Sequence, residues 1–422
     1  MSYPANRPET LLGINADRLW ARHMEMARIG SIEETGSCRL AMSAEDAEAR
    51  ELLASWCRQA GLDVHVDGAG NMFAQRSGTD ASRLPIGSGS HLDTQPHGGR
   101  FDGISGVLAA LEVIETLNDN GIQTAAPLAV VNWTNEEGVR YAPGLLGSAW
   151  YAGLIDDERL AGVKTADGTV FITEAQERGW LGESSDKFKL GGFLELHIEQ
   201  GPILEQDGLD IGIVTTVQGL RWIDVDVRGN DAHAGTTPLD QRQDALLAAA
   251  RMLVALNEVG RSYGSAARVS VGQLRPATDG PSTVVGHATF VIDIRHPDAD
   301  TLAKLSNECG AMCRTIGEQA GCAVEIAERI SVSPTVFDER CVAALEDSAR
   351  LHGHSYCRMA SGAIHDAANV ARVAPTAMVF VPCLGGVSHN VKEYTSPEQL
   401  AAGANVLLHA LLDLAEQPLQ SG

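Results

Sequence analysis

The sequence, 422 residues long, has no apolar run approaching the ~18–20 residues that a membrane-spanning helix needs. Its opening stretch, MSYPANRPETLLGI, shows no basic region followed by an apolar core, so no secretory signal is expected and a cytoplasmic location is. Basic residues are scarce: 32 Lys and Arg stand against 55 Asp and Glu, a net charge of −23. So acidic a chain repels phosphate backbones and anionic bilayers, which argues against nucleic acid and membrane partners. The 8 cysteines, at 38, 57, 309, 313, 322, 341, 357 and 383, are scattered, and in a cytosolic chain free thiols are expected. Cys309 and Cys313 sit four apart, but no second pair completes a tetrahedral metal site, so both are expected as half-buried helix residues. Repeats and low-complexity tracts are absent as well.

What is present is a hydrophobic fraction of 44% and a charged fraction of 21%, ordinary for a soluble globular enzyme. At ~100–200 residues per domain, the length suits two domains. A helix is expected from Asn15, a good N-cap, to Gly30, and a second from after Ser43 to before Gly61. Short strands follow in GLDVHVDGAGNMFAQR. Leu84 to Ser90, Pro127 to Trp133 and Gly192 to Ile198 read as strands, with a helix at Ile104 to Leu117. This alternation predicts an α/β sheet covered by helices. From about Val214 the pattern changes. Strands are expected at Arg221 to Arg228, Ala267 to Leu274, His287 to Arg295 and Ala323 to Ile330, with helices at Gln243 to Val259 and Asp300 to Ala320. That β-α-β-β-α-β order is ferredoxin-like. A strand at Ala377 to Pro382 and a helix near Pro397 to Leu414 return to α/β character. The expected fold is therefore α/β in two domains: a discontinuous mixed-sheet domain from 1–213 and 331–422, and an inserted ferredoxin-like domain from 214–330.

The polar residues after the apolar runs carry the chemistry. His91-Leu92-Asp93 and then Asp102 follow the strand ending at Ser90; Glu136-Glu137 follow Trp133; His197 and Gln200 follow Leu194; Ser388-His389 follow Val379. Active sites of open α/β sheets form beyond the carboxyl ends of strands, so these ligands converge on one edge. Imidazole and carboxylate bind Zn, Mn, Co or Ni. Three histidines and two carboxylates make two three-ligand sites if one carboxylate bridges, and Asp102, flanked by glycine, is short enough to do so. Asp93, two residues from His91, is placed to hold its second nitrogen. In the Glu136-Glu137 pair, one residue can bind metal while the other accepts a proton from water. Taken singly, each fragment also has a structural reading: a Glu pair can open a helix, and His389 can cap a turn. Together they would require four unrelated loops, each after an apolar run, to carry such residues by coincidence.

The stretches GSHLDTQPHGGRFDG (89–103), NWTNEEGVRYAPGLLGS (132–148), ELHIEQGPILE (195–205), DAHAGTTP with DQRQDA (231–245), SGAIHDAANVA (361–371) and FVPCLGGVSHNVKEYTS (380–396) resemble the peptidase M20 superfamily. Within it they resemble the hydantoinase/carbamoylase group of N-carbamoyl-L-amino acid hydrolases, β-ureidopropionases and allantoate amidohydrolases. The resemblance implies two divalent ions, one held by His91, Asp102 and His197, the other by Asp102, Glu137 and His389, with Glu136 as general base. Histidine at 197 looks like the carbamoylase branch, since many peptidase members have a carboxylate there. The inserted domain is implied to be a lid and dimerisation domain of a homodimer. Its His233 is similar to the histidine that reaches a neighbouring subunit's site and stabilises the tetrahedral intermediate. Without the resemblance His233 reads as a buried turn residue, and Arg295 as a strand-end surface charge. With it, Gln200 contacts the substrate and Arg295 clamps the substrate carboxylate, a task for a planar bidentate donor.

Two positions depart from the family pattern. Ser282 stands where an asparagine is usual, and Ile364 where a glycine is usual. Both lie near the expected substrate pocket. The expected activity is hydrolysis of an N-carbamoyl-L-amino acid or N-carbamoyl-β-alanine through a metal-bridged water. The alternatives are another N-acyl amino acid amide or allantoate, and then a metal-binding homologue without catalysis.

Overall fold

The computed structural model describes residues 11–183, 187–278 and 280–417. The chain forms two compact units, one from the chain up to Thr215 together with the chain from Phe337 onward, the other Thr216–Val336.

The first unit is built on a mixed sheet. Its strands run in the order Asp63–Val66, Met72–Arg76, Leu128–Trp133, Ile86–His91, Gly192–Ile198, Thr376–Val381 and Ile211–Val217. The middle is parallel: Ile86–His91 pairs with Leu128–Trp133 and Gly192–Ile198, and Thr376–Val381 pairs with Gly192–Ile198. Every residue of these four strands is buried. That burial explains the near-continuous apolar runs of Leu128–Trp133 and Thr376–Val381, the pattern of strands covered on both faces, while Ile86–His91 is buried with small residues, IGSGSH. The helix Ile104–Asp119 and the helix Pro397–Glu416 pack together over the sheet. The second opens on a capping box, with Gln399 N–H donating to Ser396 Oγ at 3.2 Å and Ser396 N–H to Gln399 Oε1 at 2.8 Å. Buried leucines such as Leu108, Leu111, Leu407 and Leu411 each contribute about 1.5–3 kcal/mol by leaving water.

The opening helix is shorter than its sequence suggests. It spans Ala16–Met26, with Asn15 accepting from Arg18 N–H at 3.0 Å. Gly30 does not cap it. A Cβ at Gly30 would come within 2.4 Å of the Cys38 carbonyl, whose own N–H donates to Gly30 at 2.7 Å. The glycine therefore serves a close chain crossing. The next helix, Ala44–Gln59, begins at Ser43 as expected, with Asp46 N–H on Ser43 Oγ at 3.2 Å. The sequence reading missed the strands Ile211–Val217 and Tyr356–Ser361 and the helix Glu339–His352.

In the second unit, four antiparallel strands lie in the order Arg268–Pro276, His287–His296, Gly219–Arg228 and Ala323–Val332. The helices Ala245–Ser262 and Ala299–Gln319 cover one face. Chain order and strand order together make the ferredoxin-like arrangement. His287–His296 alternates strictly between buried and half-buried, as a sheet with one covered face requires. Cys309 and Cys313 are fully buried in this core with Val225, Phe290 and Met252. Burial pushes both thiols up to about 12, so they act as small apolar residues.

Candidate metal centre

Three strand ends and two loops deliver the polar residues. His91 closes the strand Ile86–His91, and His197 is the penultimate residue of Gly192–Ile198. Asp102 precedes the helix Ile104–Asp119, and Gly103 between them has φ +71°. A Cβ at Gly103 would meet the His91 ring at 2.3 Å, so only glycine lets the Asp102 loop approach that close. Asn135, Gln200 and His389 also hold left-handed backbone, at φ 56°, 56° and 53°. Such conformations cluster where a site fixes the chain.

The side chains meet around Asp102. His197 Nε2 lies 3.1 Å and His91 Nε2 3.6 Å from Asp102 Oδ1, while His389 Nε2 lies 3.4 Å from Oδ2. His389 Nε2 is also 3.5 Å from Glu137 Oε2. Two groups result, His91–Asp102–His197 and Asp102–Glu137–His389, each with ligand atoms within 4.8 Å of one another. Glu136 Oε2 stands 3.6 Å from His91 Nε2. Burial alone would push the Asp102 carboxyl up; hydrogen bonds to His197, His389 and His91 outweigh it and hold the carboxyl well below its usual range. Burial raises Glu136 far above the ordinary carboxylate range, against the pull of His91. His389, pulled up by Asp102, rises to about 8.

The donor set fits divalent cations. Among the described residues Asp102 and Glu137 form their ion pairs with imidazoles alone, three ring nitrogens point at one carboxylate, and both carboxylates are buried or nearly so. Two of the three rings also have their other nitrogen fixed: His91 Nδ1 lies 2.9 Å from the Asp93 carbonyl, and His197 Nδ1 2.9 Å from the Ile198 carbonyl. A third group, Glu195–His197–His365, is satisfied without an ion. Ser90 Oγ and Ala367 N–H donate to Glu195 at 2.6 and 3.0 Å, and His365 Nε2 lies 3.0 Å from Ser361 Oγ.

Asp93 holds His91 in a different way from the one expected. Its carbonyl faces Nδ1, and its carboxylate stands off at 3.9 Å. The two carboxylate oxygens instead accept from the backbone N–H groups of Glu136 and Glu137, both at 3.2 Å. Gln200 donates to Asp102 Oδ2 at 2.8 Å and to Ser388 Oγ at 3.1 Å, while its Oε1 is buried and unpartnered among the described residues. Ile364 is half-buried and adjoins His365, whose ring packs on His197 with centroids 4.5 Å apart.

His233, Ser282 and Arg295 belong to the second unit. His233 is exposed, in contrast to the buried turn histidine of the structural reading. Its Nδ1 accepts from Gly235 N–H at 3.0 Å and Thr236 N–H at 3.2 Å. Ser282 lies beside it: Ala234 N–H donates to the Ser282 carbonyl at 2.9 Å, and His233 pairs with Thr283 in a short ladder. Arg295 is held by Asp293, with Nε and Nη2 on its two oxygens at 2.9 and 3.1 Å, and Trp222 Nε1 supports Asp293 at 2.9 Å. No role was expected from the sequence for Gln95, which donates to Glu137 Oε2 at 2.7 Å, or for Glu195, His365, Asp366 and Glu393. Asp366 is buried and accepts from Ser148 Oγ.

The comparison with known proteins decides the family. The profile of peptidase family M20/M25/M40 matches residues 87–413. The chain belongs to this family. It is 44% identical to an N-carbamoyl-L-amino-acid amidohydrolase of Rhizobium meliloti, covering 96% of this chain and 97% of the relative. It is 34% identical to an allantoate amidohydrolase of Bacillus subtilis, over 92% and 95%. A solved structure of a hydantoinase/carbamoylase family amidase from Burkholderia multivorans superposes with a TM-score of 0.93 at 42% identity, over 97% of this chain and all of that one. This member of the M20 family is an amidohydrolase acting on carbon–nitrogen amide bonds. No helix among its described residues is long and apolar enough to cross a membrane.

Proposed function

We propose that this amidohydrolase cleaves the carbamoyl amide of an N-carbamoyl-L-amino acid or N-carbamoyl-β-alanine. The observation that carries the reading is the pair of ligand groups sharing Asp102, with Glu136 beside them. The identity of 44% to a relative named for carbamoyl amino acids supports this substrate class. His91, Asp102 and His197 would hold one divalent ion and Asp102, Glu137 and His389 the other, with Zn, Mn, Co or Ni suited to such donors. Such ions polarise a carbonyl and lower the pKa of water.

The residues of the chain do the rest. Water adds to the carbamoyl carbon, and Glu136 takes its proton. The bond from that carbon to the amino acid nitrogen breaks, and Glu136 returns the proton to this nitrogen. The carbamic acid left over divides into ammonia and carbon dioxide. Gln200 Oε1, buried and unpartnered among the described residues, accepts an N–H of the substrate. His233 donates to the developing oxyanion. Its Nδ1 accepts two backbone N–H groups, so the proton sits on Nε2 and the ring is set as a donor. Arg295 takes the substrate carboxylate. In this reading 214–330 is a lid and dimerisation domain on a catalytic domain of 1–213 and 331–422. His233 serves the neighbouring subunit of a cytoplasmic homodimer. Ser282 and Ile364 shift preference away from small polar substrates and toward those with an apolar portion.

A substrate panel tests the proposal. N-carbamoyl-L-amino acids, N-carbamoyl-β-alanine, N-acyl amino acids and allantoate are scored for released amino acid and ammonia, with chelator and after reloading with each metal. Carbamoyl substrates should lead, and chelation should abolish turnover. A preference for allantoate or for N-acyl amino acids would sink the substrate assignment, and full activity in metal-verified chelator would sink the mechanism.

A further inference from the structure

The two ligand groups differ in what holds their members. His91 and His197 belong to strands of the buried sheet. Asp102 and His389 ride on loops outside any strand or helix, and the His389 side chain is 50% exposed. One side chain fastens both loops. Glu393 is 2% exposed, and its Oε1 accepts the backbone N–H groups of Phe101 and Asp102, both at 3.0 Å. Its Oε2 lies 3.1 Å from Ser388 Oγ. Ser388 precedes His389, and its Oγ lies 2.9 Å from Asp102 Oδ2. The contact is close enough to require a glycine: a Cβ at Gly99 would come within 2.2 Å of Glu393 Oε1 and 2.4 Å of its Cβ.

We propose that Glu393 is a positioning residue that sets Asp102 and His389 in register and so builds the Asp102–Glu137–His389 ion group without touching an ion. The inference rests on reading the two groups as ion sites. Two of the three ligands of this group lie on the loops that Glu393 joins, but only Asp102 of the other group does. Loss of Glu393 therefore acts unequally on the two ions. A residue that merely stabilised the fold would weaken both alike.

The test is ion uptake by the full chain. Metal-free protein is titrated with Mn²⁺ by calorimetry and with Co²⁺ by absorption, each resolved into two sites. Wild type should take up two ions. Glu393→Ala should keep one affinity and lose about 10- to 100-fold in the other, the usual effect of removing a group that orients a ligand. Glu393→Gln should hold both within about tenfold, because its carbonyl oxygen accepts the same two N–H groups and its amide donates to Ser388. Gly99→Ala, which forces Glu393 away, should reproduce Glu393→Ala. The inference is overturned if folded Glu393→Ala binds both ions as wild type does, if both sites weaken equally, or if Glu393→Gln is as poor as Glu393→Ala. Should Glu393→Ala fail to fold, Gly99→Ala decides by the same criteria. Wild type that takes up no ion overturns the ion-site reading and this inference together, whereas two ions in wild type with unchanged variants overturn the inference alone.

Discussion

Replacing Glu136 by glutamine separates catalysis from ion binding. Glu136 belongs to neither ligand group; it stands 3.6 Å from His91 Nε2, and its backbone N–H is fixed by Asp93 at 3.2 Å. Glutamine has the same shape, so the loop and both groups should stay in place. What disappears is the ability to take a proton. Removing a general base costs about two to four orders of magnitude, or about 3–5 kcal/mol of barrier at 1.36 kcal/mol per decade. The assay pairs turnover of an N-carbamoyl-L-amino acid with metal analysis of the same sample. Turnover should fall a hundredfold or more with ion content unchanged (on the order of the general-base contribution). Turnover within tenfold of wild type, with ions present, would refute the assignment of the base. Lost ions would show instead that Glu136 is itself a ligand.

Three further outcomes follow from particular contacts. His23 is buried, and burial lowers its pKa from 6.5 to about 4; the proton fits Nδ1, 3.0 Å from the Leu19 carbonyl. Because the folded value lies below the unfolded one, neutral His23 stabilises the fold fully above about pH 6.5, and this is lost as pH falls through about 4. In His23→Gln, the acid loss of stability in urea melts between those limits should shrink by about 3 kcal/mol, and an unchanged pH profile would contradict it. Mixing Glu136→Gln with His233→Ala subunits should restore about a quarter of wild-type sites if His233 acts across a two-fold interface, and none if it acts within its own subunit. Arg295→Lys should raise KM about 10- to 100-fold with kcat little changed, since lysine cannot reproduce a paired contact to carboxylate; an unaltered KM would remove Arg295 from the substrate site.

The parts of the fold legible in the sequence are those whose burial is complete. Leu128–Trp133 and Gly192–Ile198 are covered on both faces, so their composition alone marks them as strands. Tyr356–Ser361, mostly half-buried, carries no such run and went unread. Residues 203–207 and 366–370 form one-turn helices too short to show a period. At the proposed centre, His91, Asp102, Glu137, His197 and His389 could be picked out as a converging set, because imidazoles and carboxylates following apolar runs meet beyond the strand ends, and the structure brings these side chains together. Asp93 shows the limit: its identity was visible, but which of its oxygens faces His91 depends on a backbone turn.

Glu393 is harder still, because 291 residues separate it from the backbone N–H of Asp102 that it accepts. No local pattern links the two. A pointer was nevertheless present in the glycines beside the ligand. Gly103 makes room for the His91 ring at a distance of 2.3 Å from a hypothetical Cβ, and Gly99 makes room for Glu393 at 2.2 Å. Glycine costs backbone entropy, so a loop that carries it on both sides of a ligand gains something from the absent side chain. Here the gain is one close neighbour for each glycine: the His91 ring in one case, and in the other Glu393, which accepts the Phe101 and Asp102 N–H groups. Read this way, GGRFDG marks Asp102 as a carboxylate clasped from two directions, and the sequence lacks only the identity of the second clasp.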